Sequence, residues 1–323
     1  MTTRRQFCAG LAAASVASPL GSAHAQEYPT KVLRLLVPYA AGGGTDAIAR
    51  LVANGVGEKL GKVMVVENNG SAGGNVATTQ VSTSPPDGYT VLMANQGPMV
   101  VNPHLFKNLK VNPLTAFDPV TMITAVPLAV VVPPSSPYKT FTDLIEDARK
   151  RPGKLTYGSA GNGSASHLAT VLLAQTAKLD LLHVPYRGAS PALNDLMGAR
   201  LDFMVTTVPS IVSLIGKVTP LAVTTKVRSK KLPEVPTVAE SGLPDYEASA
   251  WYGFVVPKGT PRPIVDKLRQ ATVDTINSAT VRERLESEGA EPIGNTPEQF
   301  AEMMKAESDR WAKVIKDGNV TVD

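Results

Sequence analysis

Apolar runs of strand length alternate with amphipathic stretches of helix length along most of this chain. The runs lie at 32–37, 63–67, 89–94, 155–157, 181–185, 203–206 and 221–225, and the helix-period stretches at 47–60, 166–177, 189–197, 264–277 and 297–316. Parallel strands need a crossover, usually a helix, to reach their neighbours, so the alternation predicts an α/β fold with mostly parallel sheets. The rhythm restarts at 126–132, which ends in Pro133-Pro134, and again at 251–256, which ends in Pro257-Lys258-Gly259-Thr260-Pro261. At 323 residues the chain is about twice a typical domain length, so both restarts read as crossings between two lobes. The expected division is residues 26–125 with 251–323 as a discontinuous first lobe and 126–250 as the second, with a ligand cleft between them.

The first 25 residues are chemically distinct: Arg4-Arg5, a small and apolar stretch over 7–20, then Ala23-His24-Ala25 before Gln26. They read as a cleavable export signal, since the apolar stretch falls short of the roughly 20 residues of a spanning helix. Thr3-Arg4-Arg5-Gln6-Phe7 further resembles a twin-arginine signal. Cleavage removes Cys8, the single cysteine, and lowers the net charge from +4 to +2. A cysteine-free mature chain suits an oxidising compartment and excludes thiolate nucleophiles and Cys-based zinc sites. Without basic runs interleaved with aromatics, nothing points to nucleic acid, and no cofactor or metal is expected.

Two glycine-rich loops follow strands and open helices. The first is Pro38-Tyr39-Ala40-Ala41-Gly42-Gly43-Gly44-Thr45-Asp46; the second is Tyr157-Gly158-Ser159-Ala160-Gly161-Asn162-Gly163-Ser164-Ala165-Ser166-His167. Glycine lets the backbone approach a ligand, and the free N–H groups and dipole of a helix start favour an anion. Each loop also reads as plain steric closure of a strand–helix unit. Neither has the Gly-Lys-Ser/Thr of a Walker loop or a Gly-x-Gly-x-x-Gly fingerprint, which disfavours nucleotides.

The candidate ligand residues are therefore Tyr39, Ala41, Gly42, Gly43, Gly44, Thr45 and Asp46 in the first loop, and Ser159, Ala160, Gly161, Asn162, Ser164 and His167 in the second. Asn95, Gln96, Thr206 and Thr207 end predicted strands, where cleft walls stand, as does Trp251. Arg187 reads either as a charge partner or as a surface residue. Asp46 either complements the helix dipole or receives the ammonium of an amino-acid ligand. His167 reads as a capping or packed histidine and His183 as core. A serine hydrolase built from Ser159, Ser164 or Ser166 with His167 is disfavoured. There is no Gly-x-Ser-x-Gly elbow, and adjacent helix residues do not face each other.

Several motifs in order then resemble one family. They are 38–50, Val66-Glu67-Asn68-Asn69 with Ala72-Gly73-Gly74-Asn75, Pro86-Asp87-Gly88-Tyr89-Thr90, Phe117-Asp118-Pro119-Val120, 156–168, His183-Val184-Pro185-Tyr186, 232–237 and Trp251-Tyr252-Gly253. The chain resembles the extracytoplasmic solute receptors of tripartite tricarboxylate transporters, also called Bug-type receptors, over nearly its whole mature length. The resemblance implies a two-lobed periplasmic binding protein of the Venus-flytrap, type II-like class. It further implies a small carboxylate (a di- or tricarboxylate, amino acid or aromatic acid) held by the 42–46 and 159–164 loops, often through water. It implies delivery to the transporter's membrane permease subunits; apart from the resemblance, a ligand-dependent partner of a membrane sensor kinase is the alternative reading, and the chain is expected to be a monomer. The stretch Asn68-Asn69-Gly70-Ser71-Ala72-Gly73-Gly74 departs from the family pattern by lacking its proline, which bears on the cleft edge.

Overall fold

The computed structural model describes residues 28–321, so the expected export signal lies outside the described residues. Strands β1 (Leu33–Val37), β2 (Met64–Asn68) and β3 (Thr90–Asn95) run parallel in the order β2-β1-β3. Helices α1 (Gly44–Leu60) and α2 (Asn75–Ser82) connect them. β1 is almost wholly buried, as an interior parallel strand covered on both faces must be. On α1, Ile48, Ala49, Val52, Ala53 and Val56 form one buried stripe, and the helix stops at Gly61, whose φ of 66° only glycine adopts freely.

Short helices α3 (Asn102–Leu105) and α4 (Pro113–Ala116) lead into the 16-residue strand β4 (Phe117–Val132). After α5 (Phe141–Lys150) comes a second parallel unit. It contains β5 (Thr156–Ser159), α6 (Ala165–Ala177), β6 (Leu182–Pro185), α7 (Ala189–Met197) and β7 (Phe203–Thr207), with β5 between β6 and β7. The chain continues through α8 (Val208–Ile211), β8 (Thr219–Val223) and β9 (Ser249–Pro257). It closes with α9 (Arg262–Asn277), α10 (Ala279–Ser287), β10 (Glu291–Pro292) and α11 (Pro297–Asp317).

The two parallel units meet through β4, giving a two-lobed α/β architecture. Its residues 117–127 pair antiparallel with β9, whereas 128–132 pair with β7 and β8. Thr224, fully buried, ties β4 to the segment that leads into β9. Its hydroxyl donates to Ala248 O at 2.7 Å, and it exchanges hydrogen bonds with both backbone groups of Leu128. The apolar run at 126–132 is thus only the second half of a strand. Asp118, Pro119, Thr121 and Thr124 break the apolar signal in the first half, and two register shifts there accommodate them.

Candidate functional site

Asp46 shapes the first loop from behind. Its Oδ2 accepts the Gly42 N–H at 2.9 Å and Arg50 Nε at 3.0 Å, and its Oδ1 accepts Asn68 Nδ2 at 2.9 Å. Burial alone raises its pKa, but these donors outweigh burial and hold the carboxyl below its ordinary value. All three partners lie close in the fold to the loop itself, and Asp46 is not among the residues that line the cavity. These contacts are local to the helix start, where Asp46 stands in the first turn of α1. Gly42, at φ +84°, is the loop's left-handed position.

The second loop is folded on its own hydroxyls. Ser159 Oγ accepts the Gly161 N–H at 3.1 Å, and Ser166 Oγ accepts the Ala160 N–H at 2.8 Å. Ser164, the N-cap of α6, donates to Gly161 O at 2.6 Å and accepts the His167 N–H at 3.3 Å. His167 Nδ1 accepts the Gly163 N–H at 3.1 Å. None of the three serines hydrogen-bonds the His167 ring among the described residues, so the disfavoured hydrolase pairing does not assemble. Ser159 does meet His183 Nε2 at 2.6 Å, but Ser159 is fully buried and outside the cavity.

Behind this loop the His167 and His183 rings stack at 4.1 Å, with Tyr157 4.8 Å from His183. Burial, helped at His167 by the neighbouring His183, lowers the imidazole pKa values from 6.5 to about 3 and about 4. Both folded values lie below the unfolded one, so their stabilising effect is complete above pH 6.5 and is lost as pH falls below it. We expect unfolding free energy to drop between pH 6.5 and 5 by up to about 1.4 kcal/mol per pH unit for each ring. Urea unfolding at pH 7 and pH 5 checks this; equal stability at both would contradict it.

The loops converge on one cavity of about 500 Å³, counting the part open to solvent. From the first lobe, Tyr39, Gly43, Gly44, Thr45, Asn95 and Gln96 line it; from the second, Ala160, Ser164, Thr206 and Thr207 do. The other expected residues sit around it. Ala41 and Gly42 are on the exposed outer turn, Ser159, Gly161, Asn162 and His167 form the frame of the second loop, and Arg187 is exposed at the rim. Arg187 therefore offers the cavity no charge. It supplies a backbone carbonyl that accepts the Ala40 N–H across the cleft at 3.0 Å. Ser190 Oγ donates to Ala41 O at 3.3 Å, and the Gly44 N–H donates to Ser210 Oγ at 3.0 Å.

Residues without a chemical signature complete the wall: Ala40, Ala165, Ala189, Ser210 and Ala250, together with Ser166, Trp251 and Tyr252. Tyr39 donates to Asn95 Oδ1 at 3.0 Å. Burial raises the pKa of Tyr39 and Tyr252, with Thr45 and Thr207 acting the other way at Tyr252, so both phenols stay neutral donors. Among the described residues no Lys, Arg, Asp or Glu lines the cavity. No three His, Cys, Asp or Glu side chains converge as a metal set there or elsewhere among them.

Charge complementarity comes instead from the backbone. An α-helix leaves its first four N–H groups without intrahelical partners. On α1, the groups of Gly44 and Ala47 go to Ser210 Oγ and Gly43 O; on α6, those of His167 and Leu168 go to Ser164. Thr45 on α1, and Ala165 and Ser166 on α6, are first-turn residues that line the cavity. Two helix N-termini thus border one pocket lined by uncharged side chains among the described residues.

The chain is similar to known proteins over most of its length. Residues 48–320 match the family model described as "Tripartite tricarboxylate transporter family receptor". BugT of Bordetella pertussis is 32% identical over 310 residues, covering 95% of this chain and 94% of BugT. A solved R. palustris protein with adipate is 35% identical, with a TM-score of 0.88 over 91% of this chain and 99% of that one. MatC from Rhodopseudomonas palustris with bound malate is 32% identical, with a TM-score of 0.85 over 89% of this chain and 100% of that one.

Proposed function

This chain belongs to the tripartite tricarboxylate transporter receptor family, and we propose that it is a receptor that encloses a small dicarboxylate and passes it to the transporter's membrane subunits. The observation that carries this reading is the pair of helix N-termini, α1 and α6, at one cavity with no charged side chain in its wall among the described residues. One carboxylate takes the Thr45 end and the other the Ala165–Ser166 end. Hydroxyls of Thr206, Thr207, Ser164 and Ser210 and the amides of Asn95 and Gln96 are within the same wall. A hydrogen bond to a charged group contributes about 1.5–3 kcal/mol, and micromolar binding needs about 8 kcal/mol. A few backbone donors per carboxylate suffice, without an arginine clamp. The relatives solved with adipate and with malate support a diacid as the ligand class.

The lobes of this reading are residues 26–125 with 251–323, and 126–250. A diacid bridging both loops contacts both lobes only when they are shut, so it shifts the population toward the shut state. Export rests on the 1–25 segment; no helix among the described residues is long and apolar enough to cross a membrane. A thermal-shift panel of malate, adipate, tricarboxylates, acidic amino acids and aromatic monoacids tests the function. A diacid at one hundred times its dissociation constant is expected to stabilise by about 2.7 kcal/mol. No shift with any acid, in folded protein freed of carried-over ligand, would overturn the proposal.

A further inference from the structure

We infer that Gly70 is a positioning residue that sets how closely the two lobes shut, although it does not line the cavity. This rests on reading the cavity as a site closed between lobes. Gly70 has φ −88° and ψ 11°, a conformation open to residues with a side chain, so its glycine is not required by the local backbone. The neighbour across the cleft requires it. A Cβ on Gly70 would overlap the Arg187 carbonyl oxygen, far inside the 3.0 Å that real Cβ atoms keep, and would sit 3.1 Å from the Ala40 backbone nitrogen. Those two atoms are the hydrogen-bonded pair that spans the cleft.

The obstacle is backbone, which cannot swing aside as a flexible side chain does. The rim repeats the arrangement: a Cβ on Gly73 would stand 2.9 Å from Asn162 O, and one on Gly97 3.0 Å from Gly163 O. The first lobe thus presents bare glycines where the second presents carbonyl oxygens. The overlap with Arg187 arises only in the shut arrangement, because Gly70 and Arg187 belong to opposite lobes; the 3.1 Å approach to the Ala40 nitrogen, on the same lobe, is a tight contact that a shift of a few tenths of an ångström relieves. Gly70→Ala therefore leaves each lobe folded and shifts the molecule toward the open state.

A crosslink reads this directly. A Cβ on Gly43 would lie 3.6 Å from the Ala189 Cβ, within the roughly 3.5–4.5 Å of a disulfide, and Gly43 has an ordinary extended backbone at φ −86°, ψ 172°. In a Cys8→Ser background, the Gly43→Cys/Ala189→Cys protein is expected to form an intramolecular disulfide under mild oxidation with no ligand added. Adding Gly70→Ala is expected to slow that step about 10-fold or more. Adding Gly198→Ala instead should leave the rate unchanged, because the nearest atoms there, Asn194 O and Asp195 O, are 3.5 Å away and in its own helix. Equal crosslinking rates with and without Gly70→Ala overturn the inference, as does a parent pair that never crosslinks. The readout needs no acid, so failure of the diacid reading shows separately, as an absence of binding in the panel above.

Discussion

A Gly44→Val variant is expected to lose at least about 100-fold in affinity for the diacid that the wild-type chain binds, while unfolding within about 1 kcal/mol of it. Gly44 opens α1 and lines the cavity, and its N–H donates to Ser210 Oγ of the opposite lobe. A Cβ there would lie 2.7 Å from Ser210 Oγ, 2.9 Å from Thr207 Oγ1 and 3.0 Å from the Ser210 backbone nitrogen. Valine adds two methyl groups to that clash, so it both blocks closure and fills the place of a carboxylate at the helix end. Neither cost falls on the separate lobes, and valine is no worse than glycine in a helix. Calorimetric titration beside a urea melt separates the effects. A dissociation constant within about threefold of wild type, in a folded variant, would remove this helix end from the site.

Trp311→Ala carries the largest expected effect on stability, a loss of about 3–5 kcal/mol. Trp311 is 1% exposed and anchors α11 in a cluster with Leu36, Val255, Phe300 and Ile315. Its indole N–H donates to Glu307 Oε2 at 2.8 Å, the same oxygen that accepts Gln96 Nε2 at 3.0 Å. Truncation opens a cavity in the core and loosens the carboxylate that holds a wall residue of the site. Trp311→Phe is expected to recover most of the apolar part but not the hydrogen bond. A loss below about 1 kcal/mol by urea unfolding would mean that α11 is not anchored at this position.

The α/β class was legible because β1, β3 and β7 are short, buried and apolar while α1 and α9 carry amphipathic periods; these are local signals. The two loops were legible for the same reason, since Gly42 and Gly163 need positive φ and Ser164 caps a helix. What sequence did not show depends on tertiary placement. The orientation of Asp46 is decided partly by Arg50 one turn on, but also by Asn68 at the end of another strand. The stack of His167 on His183 follows from the β5–β6 register, which sets His183 opposite Tyr157. Ala40, Ala189, Ala250 and Ser210 line the cavity as small residues that let backbones come close, and smallness is not a chemical signature. Gly70 has the same character: its need for glycine comes from Arg187 across the cleft.

In the proposed receptor one diacid is held by two helix ends at once. Amide resonances of deuterated, ¹⁵N-labelled protein titrated with the diacid that gives the largest thermal shift test it most directly. Thr45 on α1 and Ala165 and Ser166 on α6 are all expected to shift, with a single dissociation constant and one ligand per chain. Binding that moves the amides of only one helix, or of neither, would contradict it.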